Sequence, residues 1–107
     1  MKYIKEFKIF ESNDIITKLD YYGKNLKELP KLPKSLEILY CNSNNLTELP
    51  ELPDSLKTLF CANNYLTSLP ELPNSLEVLY CENNNLTELP ELSNSLNYLN
   101  CYNNKLT

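Results

Sequence analysis

The sequence of 107 residues contains no histidine and no tryptophan. Histidine is the commonest general base and the commonest neutral metal ligand, so its absence removes the usual basis for acid–base and metal chemistry. The apolar stretches are also far shorter than the roughly 20 residues that a transmembrane helix needs. No acid, base and nucleophile that could converge are recognisable in the sequence either, so we expect a protein without catalytic activity and without a cofactor.

A basic surface is missing as well. Ten Lys and Arg residues stand against 14 Asp and Glu residues, which gives a net charge of -4. Nucleic acids and anionic membranes are bound through basic patches, so we expect neither as a partner. The N-terminal segment mixes Lys and Glu with apolar residues and lacks the unbroken apolar core of a secretory signal. The four cysteines are therefore expected to be reduced thiols in a cytosol-like compartment.

A repeat of twenty residues runs through most of the chain. Three full copies read SLEILYCNSNNLTELPELPD from Ser35, SLKTLFCANNYLTSLPELPN from Ser55 and SLEVLYCENNNLTELPELSN from Ser75. A shorter copy begins at Ser95, and a degenerate first copy has Tyr21 at the cysteine position. A fixed period of this length is typical of a stacked solenoid. We therefore divide the chain into an N-terminal segment, 1–14, and a solenoid of about four and a half coils, 15–107.

Each copy contains the pattern L-x-x-L-x-C-x-x-N-x-L, followed by L-P-x-L-P or a variant of it. This pattern resembles the leucine-rich repeat, in the short bacterial type found in type III-secreted effectors such as YopM and the IpaH ubiquitin ligases. The resemblance implies a non-catalytic module for protein binding. It also implies either the cytoplasm or a host-cell cytosol as the place of action.

The fold predicted from these residues is a β-rich, right-handed parallel-sheet solenoid. Around Ile38–Asn42, alternation turns Leu39 and Cys41 to one face and the residues between them to the other. Stacked copies then bury a continuous row of leucines, while the L-P-x-L-P segment favours an extended, polyproline-like path on the convex side. A coil of twenty residues leaves no room for a convex helix.

Two ladders of identical residues are expected inside the solenoid. The asparagines can bond backbone groups of the turns after each strand. In the family that the sequence resembles, this arrangement is called the asparagine ladder. The cysteines occupy an inward position and are expected to act as small hydrophobic residues. The two ladders are Asn44, Asn64, Asn84 and Asn104, and Cys41, Cys61, Cys81 and Cys101.

Other roles for the cysteines fit the pattern poorly. Equivalent side chains on parallel strands point the same way, so neighbouring cysteines can hardly reach the dihedral angle of a disulfide. A zinc ion needs four ligands that converge on one point, whereas stacked cysteines lie along a line. A nucleophilic thiol needs a base and an exposed, electropositive setting. The cysteines are therefore predicted to be structural.

The residues between the inward ones form the face that we call the concave face. It consists of three columns: Ile38, Thr58, Val78 and Tyr98 (first column); Tyr40, Phe60, Tyr80 and Asn100 (second column); and Asn42, Ala62, Glu82 and Tyr102 (third column). Exposed apolar and aromatic patches mark interaction sites, so the binding residues are predicted to be Ile38, Tyr40, Thr58, Phe60, Val78, Tyr80, Tyr98 and Tyr102. The alternative is that such residues only suit cross-strand neighbours in a sheet.

The two ends carry separate expectations. Tyr3, Phe7 and Phe10 lie at helical spacing, which predicts a short amphipathic helix over 1–14 that caps the first coil. The same segment resembles the N-terminal targeting peptides of T4-like phages, with Ile9-Phe10-Glu11 at the cleavage position. At the other end the sequence stops within a coil, so its last strand is expected to offer an open edge for self-association.

These observations lead to one main functional hypothesis and two alternatives. The main hypothesis is a scaffold that binds a protein through the concave face. The alternatives are a structural subunit that pairs through its C-terminal edge, and the substrate-recognition part of a larger IpaH-like effector. The sequence does not identify the partner.

Overall fold

Five short strands, one in each coil, form a single parallel sheet. In the computed structural model, which describes residues 15–107, the strands follow one another across the sheet in chain order. They are β1 (Lys18–Asp20), β2 (Ile38–Tyr40), β3 (Thr58–Phe60), β4 (Val78–Tyr80) and β5 (Tyr98–Asn100). The predicted capping helix and the alternative cleavage position fall within 1–14 and lie outside the described residues.

The strands stack without any offset in register. Each strand pairs with the residues twenty positions later, so that Leu39 lies beside Leu59 and Leu59 beside Leu79. The strands are three residues long rather than the five predicted, because the chain begins to turn after Tyr40. Hydrogen bonds between coils nevertheless continue, from Cys41 N to Phe60 O at 2.8 Å and from Ser43 N to Ala62 O at 2.9 Å. This confirms the predicted parallel solenoid.

The core is a stack of identical leucine layers. In the middle coils the leucines before, within and after each strand are fully buried, as are three of the four cysteines: Leu36, Leu39, Leu46, Leu56, Leu59, Leu66, Leu76, Leu79, Leu86, Cys41, Cys61 and Cys81. Burying one leucine side chain stabilises a protein by about 1.5–3 kcal/mol. In the first coil the ring of Tyr21 fills the cysteine position and is only 2% exposed. Tyr21 therefore lies inside, at the position where the sequence repeat aligns it with the cysteines.

The asparagine ladder forms as predicted. The Asn64 side chain accepts a hydrogen bond from Leu46 N at 3.0 Å and donates to the carbonyl oxygens of Cys41 and Cys61, each at 3.1 Å. Asn44 and Asn84 make the equivalent bonds one coil earlier and one coil later. Each side chain thus joins two neighbouring coils and satisfies backbone groups that no strand partner reaches.

The turn that precedes each ladder asparagine needs a left-handed residue. Ser43, Asn63, Asn83 and Asn103 all have φ between 58° and 61°, and Gly23 takes this position in the first coil with φ of 61°. Asparagine and glycine adopt this conformation more readily than other residues do, which explains their recurrence here. Serine at position 43 is the least suited of the set.

A serine ladder, which the sequence interpretation missed, joins the coils on the opposite edge. The hydroxyl of Ser55 donates to Leu36 O at 2.6 Å, and that of Ser75 donates to Leu56 O at 2.7 Å. Each of these serines lies within a tight turn that a leucine N–H closes by bonding a proline carbonyl, as in Leu56 N to Pro53 O at 3.1 Å. In the last coil Ser93 stands at the proline position, and its hydroxyl donates to Leu76 O instead.

The last coil is less well covered than the others. Leu99 and Leu106 are each 39% exposed, whereas Leu79 and Leu86, one coil earlier, are fully buried. The predicted burial of Cys101 is likewise only partial, because a neighbouring coil covers it on one side alone. Over the described range, no helix has the length and apolar character needed to cross a membrane.

Candidate protein-binding face

The concave face is built by the alternation of the strands. Because Leu39 points into the core, Ile38 and Tyr40 on either side of it point outward. The register then aligns Ile38 with Thr58 and Val78, and Tyr40 with Phe60 and Tyr80. The first and second columns therefore run across the sheet as the sequence predicted.

The aromatic residues of the second column contact one another. The ring centroids of Tyr40 and Phe60 are 5.0 Å apart in an edge-on arrangement. The rings of Phe60 and Tyr80 are stacked, with centroids 4.6 Å apart and planes inclined by 28°. Pairs of this kind contribute about 0.5–1.5 kcal/mol beyond the area they bury. The amino group of Lys18 lies 5.2 Å from the Tyr40 ring and extends the row at one end. We call these three rings the aromatic ladder.

Polar residues close the second column at both ends. Asp20 in β1 and Asn100 in β5 occupy the positions that the rings take in β2, β3 and β4. The Asp20 carboxylate accepts a hydrogen bond from Tyr22 N at 3.0 Å, and the Asn100 side chain accepts one from Tyr102 N at 3.1 Å. These two side chains bond local turns. The aromatic ladder is therefore confined to β2, β3 and β4.

The third column is held in line by backbone hydrogen bonds. Ser43 N donates to Ala62 O at 2.9 Å, and Asn63 N donates to Glu82 O at 3.0 Å. Ala62 has the smallest side chain of the column and is only 4% exposed, so neighbouring residues cover it. Asn42 and Glu82, on the coils to either side, are half-buried.

Two oxygen atoms of the third column are buried without a hydrogen bond. Asn42 Oδ1 and Glu82 Oε1 are inaccessible to solvent, and no group within residues 15–107 donates to either of them. Buried polar atoms in folded proteins almost always have a partner, and an unpaired one is costly. These two acceptors are therefore the least satisfied polar atoms on the concave face.

The eight predicted binding residues divide into two groups. Ile38, Tyr40, Thr58, Phe60, Val78 and Tyr80 lie side by side on the first three full coils and are half-buried by their neighbours. Tyr98 and Tyr102 lie on the last coil and are 64% and 77% exposed. The structure thus brings the eight together on one face, but the aromatic ladder also stabilises the sheet by its own contacts.

The polar atoms of the third column were not predictable as a feature of their own. Asn42 and Glu82 were placed on the face but not among the binding residues. The sequence does show that the residue after the cysteine differs between the copies. It is Asn42 or Glu82 in two copies, and Ala62 or Tyr102 in the other two.

The buried thiols are poorly suited to chemistry. Burial raises the pKa of Cys41 from 9.0 to about 12, and burial with the neighbouring Cys101 and the Glu82 carboxylate raises that of Cys81 to about 12. Burial, followed by the adjacent Cys41, Cys81 and Glu82, raises the pKa of Cys61 well above 9.0. A thiol must ionise to act as a nucleophile or a metal ligand. No group of three or more metal-ligating side chains occurs in the part of the chain that the structure describes.

The architecture defines the chain as a parallel β-solenoid with asparagine and leucine ladders. A family model described as leucine-rich repeats (two copies) matches residues 34–74 and, in a second overlapping match, 54–94. The chain belongs to the leucine-rich repeat family. The comparison with curated protein sequences finds no match.

Similar solved structures include bacterial effector proteins built from leucine-rich repeats. The leucine-rich repeat domain of a Shigella effector is 38% identical, with a TM-score of 0.86 over 94% of this chain and 46% of that one. YopM from Yersinia pestis is 44% identical, with a TM-score of 0.82 over 92% of this chain and 28% of that one. YopM from Yersinia enterocolitica WA-314 is 40% identical, with a TM-score of 0.69 over 70% of this chain and 17% of that one.

These likenesses confirm the resemblance to bacterial effector repeats. The chain spans less than half the length of each of these structures. Leucine-rich repeat domains generally act as non-catalytic interaction modules, and the relation to effector domains is consistent with a scaffold for protein interaction.

Proposed function

We propose that the chain is a non-catalytic scaffold that binds a protein partner through its concave face. The observation that carries this proposal is the side-by-side arrangement of aliphatic and aromatic residues over β2, β3 and β4. They cover an open sheet face, whereas the core beneath it is already filled by leucines. Contiguous apolar surface of this kind is typical of interaction sites.

A pair of charge-matched variants tests the proposal. Thr58 and Val78 are outward-facing neighbours at the centre of the face, so Thr58→Glu with Val78→Glu places two carboxylates there. The control is Thr67→Glu with Thr87→Glu, which adds the same charge at exposed positions outside the strands, one coil apart. Thr58 and Val78 are half-buried in strands whereas Thr67 and Thr87 are exposed, so the stability of both variants is compared by urea unfolding before capture is measured.

We expect the concave variant to lose the proteins that the wild-type chain captures from cells of its native source. The control variant should capture the same proteins as wild type. If the concave variant unfolds at the same urea concentration as the control and still captures the full set, the concave face is not the binding surface.

Self-association through the last coil is a second proposal. It is supported by the exposure of Leu99 and Leu106, whose counterparts one coil earlier are buried. A second chain that covers β5 would bury both leucines and pair the free strand edge. Light scattering of the 107-residue chain should then show a dimer that Leu99→Lys disrupts. A monomer at high concentration contradicts this proposal.

A third proposal makes the chain the recognition part of a longer, IpaH-like effector, for which the likeness to the Shigella effector domain is the support. The reading frame downstream of Thr107 tests it.

The main proposal also assigns the chain to a reducing compartment, either the cytoplasm or a host-cell cytosol, and the four free thiols support this. Fractionation of the native source with an antibody to the chain checks the compartment.

A further inference from the structure

A groove lies between the first two coils, outside the sheet. It has a volume of about 650 Å³ and is open to solvent. The extended segments of the two coils that follow the ladder asparagines form its two walls. The residues that line it are Lys31, Leu32 and Lys34 on the wall of the first coil, and Pro50, Glu51, Leu52, Pro53 and Asp54 on the wall of the second.

The floor of the groove is apolar. Leu32 and Leu52 belong to the leucine core and are only 5% and 6% exposed. Pro50 and Pro53 are half-buried and supply apolar surface beside them. An apolar side chain of a ligand can therefore be buried against this floor.

Hydrogen bonds to the following coil hold both walls in place. The carbonyl oxygen of Lys34 accepts a bond from the Ser55 hydroxyl at 2.7 Å, and that of Asp54 accepts one from the Ser75 hydroxyl at 2.6 Å. Proline also fixes one backbone dihedral at two positions of the second wall. A preformed groove of this kind loses little conformational entropy when a ligand binds.

The two walls carry opposite charges. Lys31 and Lys34 are exposed on the first wall, and Glu51 and Asp54 are exposed on the second. Among the described residues, none of these four side chains has an ion-pair partner. Any ion pair that formed between such exposed side chains would be weak, so a ligand could displace it easily.

The equivalent grooves of the later coils have a different charge. They are smaller, at about 550 Å³ and about 220 Å³, and among the described residues neither is lined by a lysine. Their charged and amide side chains are Glu51, Asp54, Glu71 and Asn74 in the second groove, and Glu71, Asn74, Glu91 and Asn94 in the third. Only the first of the three grooves therefore combines both signs of charge.

The charges on each wall are three residues apart, at Lys31 and Lys34 and at Glu51 and Asp54. A polyproline helix has three residues per turn and rises about 3.1 Å per residue, so every third side chain points the same way. Laid in the groove, it turns one residue of each triplet to the floor and the other two to opposite walls. The wall charges then recur at the period of such a ligand.

We propose that this groove binds a polyproline-like peptide segment of a protein partner in which an acidic, an apolar and a basic residue recur as a triplet. The acidic residues contact Lys31 and Lys34, the basic residues contact Glu51 and Asp54, and the apolar residues lie on the floor. Because such a helix can lie in the groove in either direction, one direction satisfies both walls. This binding surface is additional to the concave face and does not depend on it.

Three blocked nonapeptides provide the probe. The first is Glu-Pro-Lys repeated three times, the second has the same composition in blocks, Glu-Glu-Glu-Pro-Pro-Pro-Lys-Lys-Lys, and the third is Lys-Pro-Lys repeated three times. Titration of the first into the isotopically labelled full chain should shift the backbone amide signals of Leu32, Glu51 and Leu52, with a dissociation constant on the order of millimolar. We expect the other two to bind at least about tenfold more weakly, because they lose charge-assisted contacts to one or both walls.

Two variants with the same net charge locate the site. Lys31→Gln with Lys34→Gln removes the amines of the first wall and should weaken binding of the Glu-Pro-Lys peptide by at least about tenfold. Lys27→Gln with Lys105→Gln removes two exposed amines that do not line the groove and should leave binding unchanged. All four lysines are exposed, so both variants should fold, and urea unfolding verifies this.

Four results would overturn the proposal. They are no binding of the Glu-Pro-Lys peptide, equal affinity for the block peptide, equal affinity for the Lys-Pro-Lys peptide, and an equal effect of the two lysine variants. Equal affinity for the Lys-Pro-Lys peptide would mean that the carboxylates attract any cationic chain. None of these results bears on the concave face, which the Thr58→Glu with Val78→Glu variant tests separately.

Discussion

Replacing Asn64 by alanine removes one rung from the middle of the asparagine ladder. The side chain accepts a bond from Leu46 N at 3.0 Å and donates to Cys41 O and Cys61 O at 3.1 Å each. Asn64 is only 5% exposed, so water cannot easily replace it. Three lost bonds at about 1 kcal/mol each, together with a buried backbone N–H left unpaired, predict a loss of about 3–5 kcal/mol in the free energy of unfolding.

Asn104→Ala is the matched control for this prediction. Asn104 makes the same set of bonds, to Leu86 N at 2.9 Å, Cys81 O at 3.1 Å and Cys101 O at 3.0 Å. It lies in the last coil and is only partly buried, so water can take over several of these bonds and any opening stays local. We expect a loss of about 1–1.5 kcal/mol.

Urea unfolding followed by circular dichroism measures both variants. With a slope of about 1–3 kcal/mol per molar urea for a domain of this size, Asn64→Ala should lower the midpoint by at least about 1 M. An equal or larger loss for Asn104→Ala would refute the reasoning, because it would show that burial of the ladder does not set its contribution.

Further predictions concern single positions in the turns and among the thiols. Ser43→Asn should raise the free energy of unfolding by about 0.5–1 kcal/mol, since φ of 61° suits asparagine better than serine, and Asn63→Ser should lower it similarly in the same urea assay. Iodoacetamide at pH 8 should label Cys101 first, because the other three cysteines are buried and should react only after unfolding. Mass spectrometry of the peptides identifies the labelled cysteines. Rapid labelling of Cys61 in the folded protein would contradict the buried stack. A raised thiol pKa keeps the folded form protonated while the unfolded thiol ionises, so stability should fall as pH rises from about 9 to about 12, by about 1.4 kcal/mol per pH unit for each such thiol. Cys41→Ala should make that slope shallower by the same amount, and an unchanged slope counts against the raised pKa of Cys41.

Most of the fold could be predicted from the twenty-residue period of the sequence. Once Leu39, Cys41 and Asn44 recur every twenty residues, strand direction, register and the inward face follow from alternation and stacking. The asparagine ladder was predictable for the same reason. The serine ladder was equally periodic, at Ser35, Ser55 and Ser75, but a hydroxyl within a turn has many possible partners, so its target could not be named in advance.

The concave face was predictable only as a set of positions. Alternation gave the columns, but the mutual packing of Tyr40, Phe60 and Tyr80 depends on side-chain torsions that the pattern does not specify. The unpaired oxygens of Asn42 and Glu82 were out of reach for the same reason, because only the three-dimensional arrangement shows which polar atoms lack a donor. The partial exposure of Cys101 depends on its place at the end of the stack and not on its neighbours in sequence.

Because each coil bonds only the coils before and after it, a gene duplication that inserts another twenty-codon unit between two coils would disturb no distant contact. Every such event lengthens the sheet by about 4.8 Å and adds one residue to each column. The area of the concave face therefore grows in fixed steps, while the packing of the interior stays the same.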